Sequence, residues 1–113
     1  MTTPKADELY RLHAEMCKVF TSPKRLELLN LLRARELSVN ELSEKAGIAQ
    51  SNVSQHLAIL KGRDIVKTRR DGSKIYYSLS DKRIGAAFDI IRDMLLDKLG
   101  RAARLSRAVG AGR

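Results

Sequence analysis

Ten residues, SNVSQHLAIL from Ser51 to Leu60, carry two kinds of chemistry on one segment. Val53, Leu57 and Leu60 fall at i, i+4 and i+7, which predicts an apolar stripe along one helix face. Gln50, Ser51, Asn52, Ser54 and Gln55 populate the rest, with no Lys, Arg, Asp or Glu before Lys61. A solvated helix face is ordinarily charged, and Ser and Asn are poor helix formers in an interior. Short amides and hydroxyls turned outward suit the edges of base pairs. Gln and Asn can bond bidentately to adenine, and Ser can contact either kind of base. His56 borders the apolar stripe. It fits two roles equally: a packed histidine bonded to backbone or phosphate, or a base reader.

A second cluster is cationic. DIVKTRRDGSKIYYSLS alternates with period two around Asp71-Gly72, the pattern of a short hairpin. With those two residues as the turn, Val66 faces Tyr77 and Thr68 faces Ile75. Val66, Ile75, Tyr77 and Leu79 then share one face, while Lys67, Arg69, Lys74 and Tyr76 share the other. A ribbon with an apolar underside and a basic upper side is a wing. Its cations Lys67, Arg69, Arg70 and Lys74 suit phosphates or the minor groove, giving affinity more than sequence choice.

The third candidate is the pair His13 and Cys17, at i and i+4, the chain's one soft-ligand pair on a predicted helix. A partner's thiol could complete a metal or redox site there. Placed among Met16, Val19 and Phe20, Cys17 reads instead as a small buried hydrophobe. No metal site is assigned beyond these residual candidates, and no cofactor is expected. No nucleophile–base–acid set and no phosphate loop is present, so an enzyme is not expected.

These residues need elements to hold them. Thr3-Pro4 followed by Asp7 and Glu8 reads as a helix start, and Leu9, Leu12, Met16, Val19 and Phe20 line one face of that first helix. Ser22 is an N-cap with Pro23 at the first position of a second helix, whose Leu26, Leu28, Leu29, Leu31 and Leu32 make it the most buried one. A short extended piece at Glu36-Leu37 leads to Ser38. Ser38-Val39-Asn40-Glu41 has the form of a capping box and opens a third helix bearing Val39, Leu42 and Ala46, ended by Gly47. A fourth helix begins at about Gln50, so the third and fourth form a helix-turn-helix. A fifth runs from about Lys82 to Leu99, with Ile84, Phe88, Ile91 and Leu95 in one stripe widened by Ala87, Ile90 and Met94.

The chain has 113 residues, enough for one domain, and a formal net charge of +9. A surplus of that size points to a polyanion, either nucleic acid or an anionic membrane surface. No apolar run approaches the roughly 18 residues of a membrane span, and the N-terminus lacks the apolar core of a signal peptide. With 4% aromatic residues there is little to stack on single-stranded bases, which favours duplex DNA. A single cysteine fits a reducing cytoplasm. One small domain cannot easily bury the first helix, the leucine-rich second and the wide fifth stripe together, which predicts a two-fold partner. Residues 1–100 form the expected DNA-binding and dimerisation domain. Residues 101–113, with four arginines and no acid, read as a basic, frayed tail.

The chain resembles the ArsR/SmtB family of dimeric winged-helix repressors over about residues 8–98. The resemblance rests on SPKRLELLNLLR, ELSVNELSEKAGIAQSNVSQHLAILK and DIVKTRRDGSKIYYSL. It implies a mainly α winged helix-turn-helix of about five helices with a two-stranded wing, dimerised through the first and fifth helices. It further implies a repressor that leaves operator DNA when an inducer binds. In the family, the residues matching Gln50, Ser51, Ser54, Gln55 and His56 enter the major groove. Two departures concern the backbone. Many relatives have Ser as N-cap where Ala49 stands, and many have Gly where Asp64 stands; Asp can take the left-handed cap conformation at some cost. Metal-sensing relatives carry a Cys-x-Cys where this chain has Ser38 and Asn40, and others carry histidines on the last helix, which has none here. The cysteine pair of persulfide- and redox-responsive relatives is also missing. The family's inducer chemistry therefore does not carry over, and the inducer stays unidentified.

The expected function is a sequence-specific, homodimeric DNA-binding repressor. Two alternatives compete: a nonspecific architectural DNA binder, and a winged-helix module for protein contacts. Nonspecific binding needs only cations, so the uncharged polar face of the fourth helix argues against the first.

Overall fold

The computed structural model describes residues 5–111. The helix start expected at Thr3-Pro4 lies outside the described residues, as does Arg113. The chain divides into two compact units, one ending at Asp81 and the other beginning at Lys82.

The first unit opens with α1 (Ala6–Lys18), which carries Asp7 and Glu8 in its first turn and buries none of its residues. Helix α2 (Pro23–Leu32) starts as its sequence predicts. Ser22 accepts from the Arg25 backbone N–H at 3.3 Å, and Pro23 takes the first turn, where its missing N–H costs nothing. Leu28, Leu29 and Leu32 are buried, whereas Leu26 stays 36% exposed, so α2 is less enclosed than five leucines suggest.

Strand β1 (Leu37–Ser38) is short, yet it pairs antiparallel with the later hairpin. Ser38 then caps α3 (Val39–Ala46): its hydroxyl accepts from Glu41 N–H at 3.2 Å, while the Glu41 carboxylate accepts from Ser38 N–H at 3.1 Å. Gly47 ends α3 at φ 68°, in the left-handed region where a Cβ is penalised. Three residues later α4 (Gln50–Gly62) begins. Ser43 secures the turn between them by donating its hydroxyl to the Ile48 carbonyl.

Helix α4 ends in a Schellman motif. Ile65 N–H donates to Leu60 O at 2.9 Å and Asp64 N–H to Lys61 O at 3.0 Å, with Asp64 at φ 58°. The expected left-handed aspartate is therefore present, and Ser80 braces it by donating its hydroxyl to the Asp64 and Ile65 carbonyls.

Strands β2 (Val66–Asp71) and β3 (Lys74–Leu79) form the wing, and the sheet order is β1-β3-β2. One expectation is extended here and one is corrected. The sheet has three strands, because β1 adds to β3 through Leu37↔Tyr77 and Ser38↔Tyr76. The hairpin register is shifted by two: Val66 pairs with Leu79 and Thr68 with Tyr77, and Gly72-Ser73 make the turn. Gly72 at φ 63° supplies the positive φ that a type II′ turn needs at its first central position. The shift also sets Asp71 opposite Lys74, a favourable charge pair on the last rung. A shift of two leaves every side chain on its expected face.

The core of this unit is aliphatic. Leu28, Leu29, Leu42, Val53, Leu57 and Leu60 are all 0% exposed and join α2, α3 and α4. The second unit is α5 (Arg83–Ala111), one helix of 29 residues. The helix expected to end at about Leu99 runs on as far as Ala111. Ala102, Ala103 and Arg104 are strong helix formers, and the three glycines within α5 do not stop the run. Among the described residues no helix is long and apolar enough to cross a membrane.

Candidate nucleic-acid interface

The stripe read from the sequence is the buried side of α4: Val53, Leu57 and Leu60 are sealed in the core. That orientation turns Gln50, Ser51, Asn52, Ser54 and Gln55 outward, and all five are exposed. The surface they make is about one turn and a half of uncharged donors and acceptors. Ala49, at the N-cap position, supplies no capping hydrogen bond. The positive end of α4 is thus left without a side-chain oxygen, a place where phosphate can accept from backbone N–H groups.

His56 sits between the two faces. It is half-buried, and its Nδ1 is enclosed without a hydrogen-bond partner. Burial, then the nearby Arg25 guanidinium, push its imidazole below the ordinary value of 6.5. Its burial is that of a packed side chain, without the expected backbone bond at Nδ1. Arg25 is a neighbour that sequence spacing could not reveal, and its own Nε is likewise enclosed without a partner.

Only Arg63, Asp64 and Ile65 separate α4 from β2, so the polar face and the wing belong to one compact unit. Lys67, Arg70 and Lys74 are exposed on the wing. Lys67 and Lys74 share a face with Arg69 and Tyr76, whereas Arg70 falls on the opposite face, paired with Ile75. Arg69 differs from the other three. Its Nε lies 3.0 Å from each oxygen of Glu36, and its guanidinium lies 4.9 Å from the centre of the Tyr76 ring. Hydrogen bonding from Arg69 holds the Glu36 carboxyl below the usual carboxylate range, and the same bond raises Arg69. Glu36 is the residue that sequence reasoning missed, because its partner lies 33 positions away.

The remaining candidates are not brought into a site. Cys17 is exposed in the single chain, where α1 buries none of its residues. His13 is exposed as well. Among the described residues no three His, Cys, Asp or Glu side chains cluster as a metal site. Ser38, at one position where metal-sensing relatives carry cysteine, is a hard oxygen already used in the capping box.

A profile of the family described as Bacterial regulatory protein, arsR family, matches residues 22–68, from the cap of α2 through the root of the wing. The nodulation protein NolR of Rhizobium meliloti is 39% identical over 94 residues, covering 80% of this chain and 77% of that protein. The crystal structure of Mycobacterium tuberculosis Rv0081 superposes with a TM-score of 0.76 at 34% identity, covering 90% of this chain and 99% of that one. A homodimeric winged helix-turn-helix DNA-binding domain of Mycobacterium bovis, Mb0332, shares the fold at TM-score 0.76 and 24% identity, covering 88% of this chain and 94% of that one. With an exposed polar helix and a basic wing on the same scaffold, the chain belongs to the ArsR family of DNA-binding transcriptional regulators.

Proposed function

We propose that the protein is a homodimeric repressor that acts in the cytoplasm on an inverted-repeat operator and is released by an inducer. The observation that carries the reading is the uncharged face of α4, set beside a cationic wing on one rigid unit. Gln50, Ser51, Asn52, Ser54 and Gln55 read base edges in the major groove, with His56 packed behind them. Lys67, Arg70 and Lys74 hold phosphates. Each good bidentate contact discriminates by roughly 1–3 kcal/mol, whereas phosphate contacts add affinity without choice.

Dimerisation through α1 and α5 is supported by what each leaves uncovered. Leu9, Leu12 and Met16 are exposed on α1, and Ile90, Ile91, Met94, Leu95 and Leu99 are each more than half exposed on α5. Burying a side chain of this kind stabilises by roughly 1.5–3 kcal/mol, so a shared interface has ample driving force. A two-fold dimer requires half-sites about one helical turn apart. The test is competition of a selected inverted repeat against random duplex at fixed salt. Strong preference for the selected site is expected; a specificity ratio near one would replace this reading with an architectural one, which the arginine-rich end of α5 would serve.

A further inference from the structure

Arg69 stands opposite Tyr76 of β3, and Tyr76 in turn stands opposite Ser38 of β1. Glu36 lies just before β1. When its carboxylate takes both Nε and Nη2 of Arg69, one guanidinium spans the central strand and ties the two edge strands together. The Tyr76 ring, 4.9 Å below, supports it from the sheet. Strand β1 pairs only with Tyr76 and Tyr77, so beyond that point the three-stranded sheet becomes a bare two-stranded ribbon. An isolated two-stranded ribbon is marginal in water. The clamp sits at the handover, directly below the rungs Arg70↔Ile75 and Asp71↔Lys74 that carry cations at the tip.

We propose that Arg69 is a positioning residue: gripped by Glu36 and Tyr76, it sets the pitch of the wing, and Lys67, Arg70 and Lys74 alone supply the wing's phosphate contacts. The inference rests on the DNA-binding reading above. A fork of parallel N–H groups is spent on a matching carboxylate, an arrangement that Lys cannot reproduce. A charge neutralised by its partner adds little attraction for a polyanion. Transfer of Arg69 to a phosphate would leave the Glu36 carboxylate bare beside DNA, which like-charge repulsion opposes.

The experiment measures operator affinity against salt for the full chain and its variants. Losing a phosphate contact lowers the slope of log K on log salt by about 0.9, whereas losing orientation lowers affinity at constant slope. Arg70→Ala is expected to lower the slope by that amount. Arg69→Ala and Arg69→Lys are expected to weaken binding severalfold with the slope unchanged. Arg69→Glu should be worse, and adding Glu36→Arg should bring affinity back to within about threefold of the wild type, since a swapped pair restores the clamp. The proposal is overturned by a slope loss in Arg69→Ala equal to that of Arg70→Ala, by full affinity in Arg69→Lys, or by a swap no better than Arg69→Glu. Should the wild type fail to prefer any selected site over random duplex, the functional reading fails by itself. The same slopes on random duplex would still decide the role of Arg69.

Discussion

At the scale of single residues, the division between reading and holding makes distinct demands. Gln55→Ala or Ser54→Ala should weaken a selected operator by roughly 1–3 kcal/mol and leave random duplex nearly unchanged. Lys67→Ala should weaken both and flatten the salt slope by about one charge. Fluorescence anisotropy titrations on the two duplexes separate the cases, and identical behaviour of both groups would undo the division. His56 makes a different demand, on pH. Its imidazole titrates below 6.5 in the folded chain, so the unfolded chain binds more protons at this position. The stability it contributes is complete above that value and is lost as pH falls through the depressed range. Melting curves between about pH 8 and pH 5 should therefore show a drop in Tm that His56→Gln reduces. Glu36 and Glu41 are held below 4.5, so their losses come at lower pH and do not overlap that window.

At the scale of elements, the caps are where stability can be moved without touching the interface. Ser38→Ala removes half of a reciprocal cap and should cost about 1 kcal/mol in urea unfolding. Asp64→Ala should cost about 1 kcal/mol because a plain Cβ is penalised at φ 58°, whereas Asp64→Gly should cost nothing. If Ala and Gly behave alike there, the left-handed conformation is not what Asp64 supplies. These are also the features that were legible in advance. Ser22-Pro23, the Ser38–Glu41 box, Gly47 and the stripe Val53, Leu57, Leu60 are local signals, each complete within a few residues. The parts that escaped were all long-range or ambiguous. Two residues of strand at Leu37–Ser38 carry no period, and only β3 makes them a strand. Asp71-Gly72 and Gly72-Ser73 are both acceptable turns, and cross-strand pairing chose between them. The ion pair that holds Arg69 joins positions far apart in sequence. The fifth helix, expected to end at about Leu99, continues through the alanines and arginines that follow.

At the scale of the molecule, one chain leaves more apolar surface uncovered than a monomer should. Leu95→Glu or Ile91→Glu places a charge on the exposed stripe of α5 and should shift the protein to monomer in sedimentation. Operator affinity should fall far more than affinity for a single half-site, because linkage of two readers is lost. A variant that stays dimeric would move the interface off α5. The joint between α4 and β2 matters at this scale as well. Three residues span it, the helix end is locked by the Schellman bonds, and Ser80 fastens it from the end of β3. That joint has no hinge built into it, so if helix and wing hold the duplex as proposed, they should leave it together. Each half of the protein must let go as one body. Stopped-flow release from a half-site should then show a single exponential, seen equally by a dye facing the helix and a dye facing the wing.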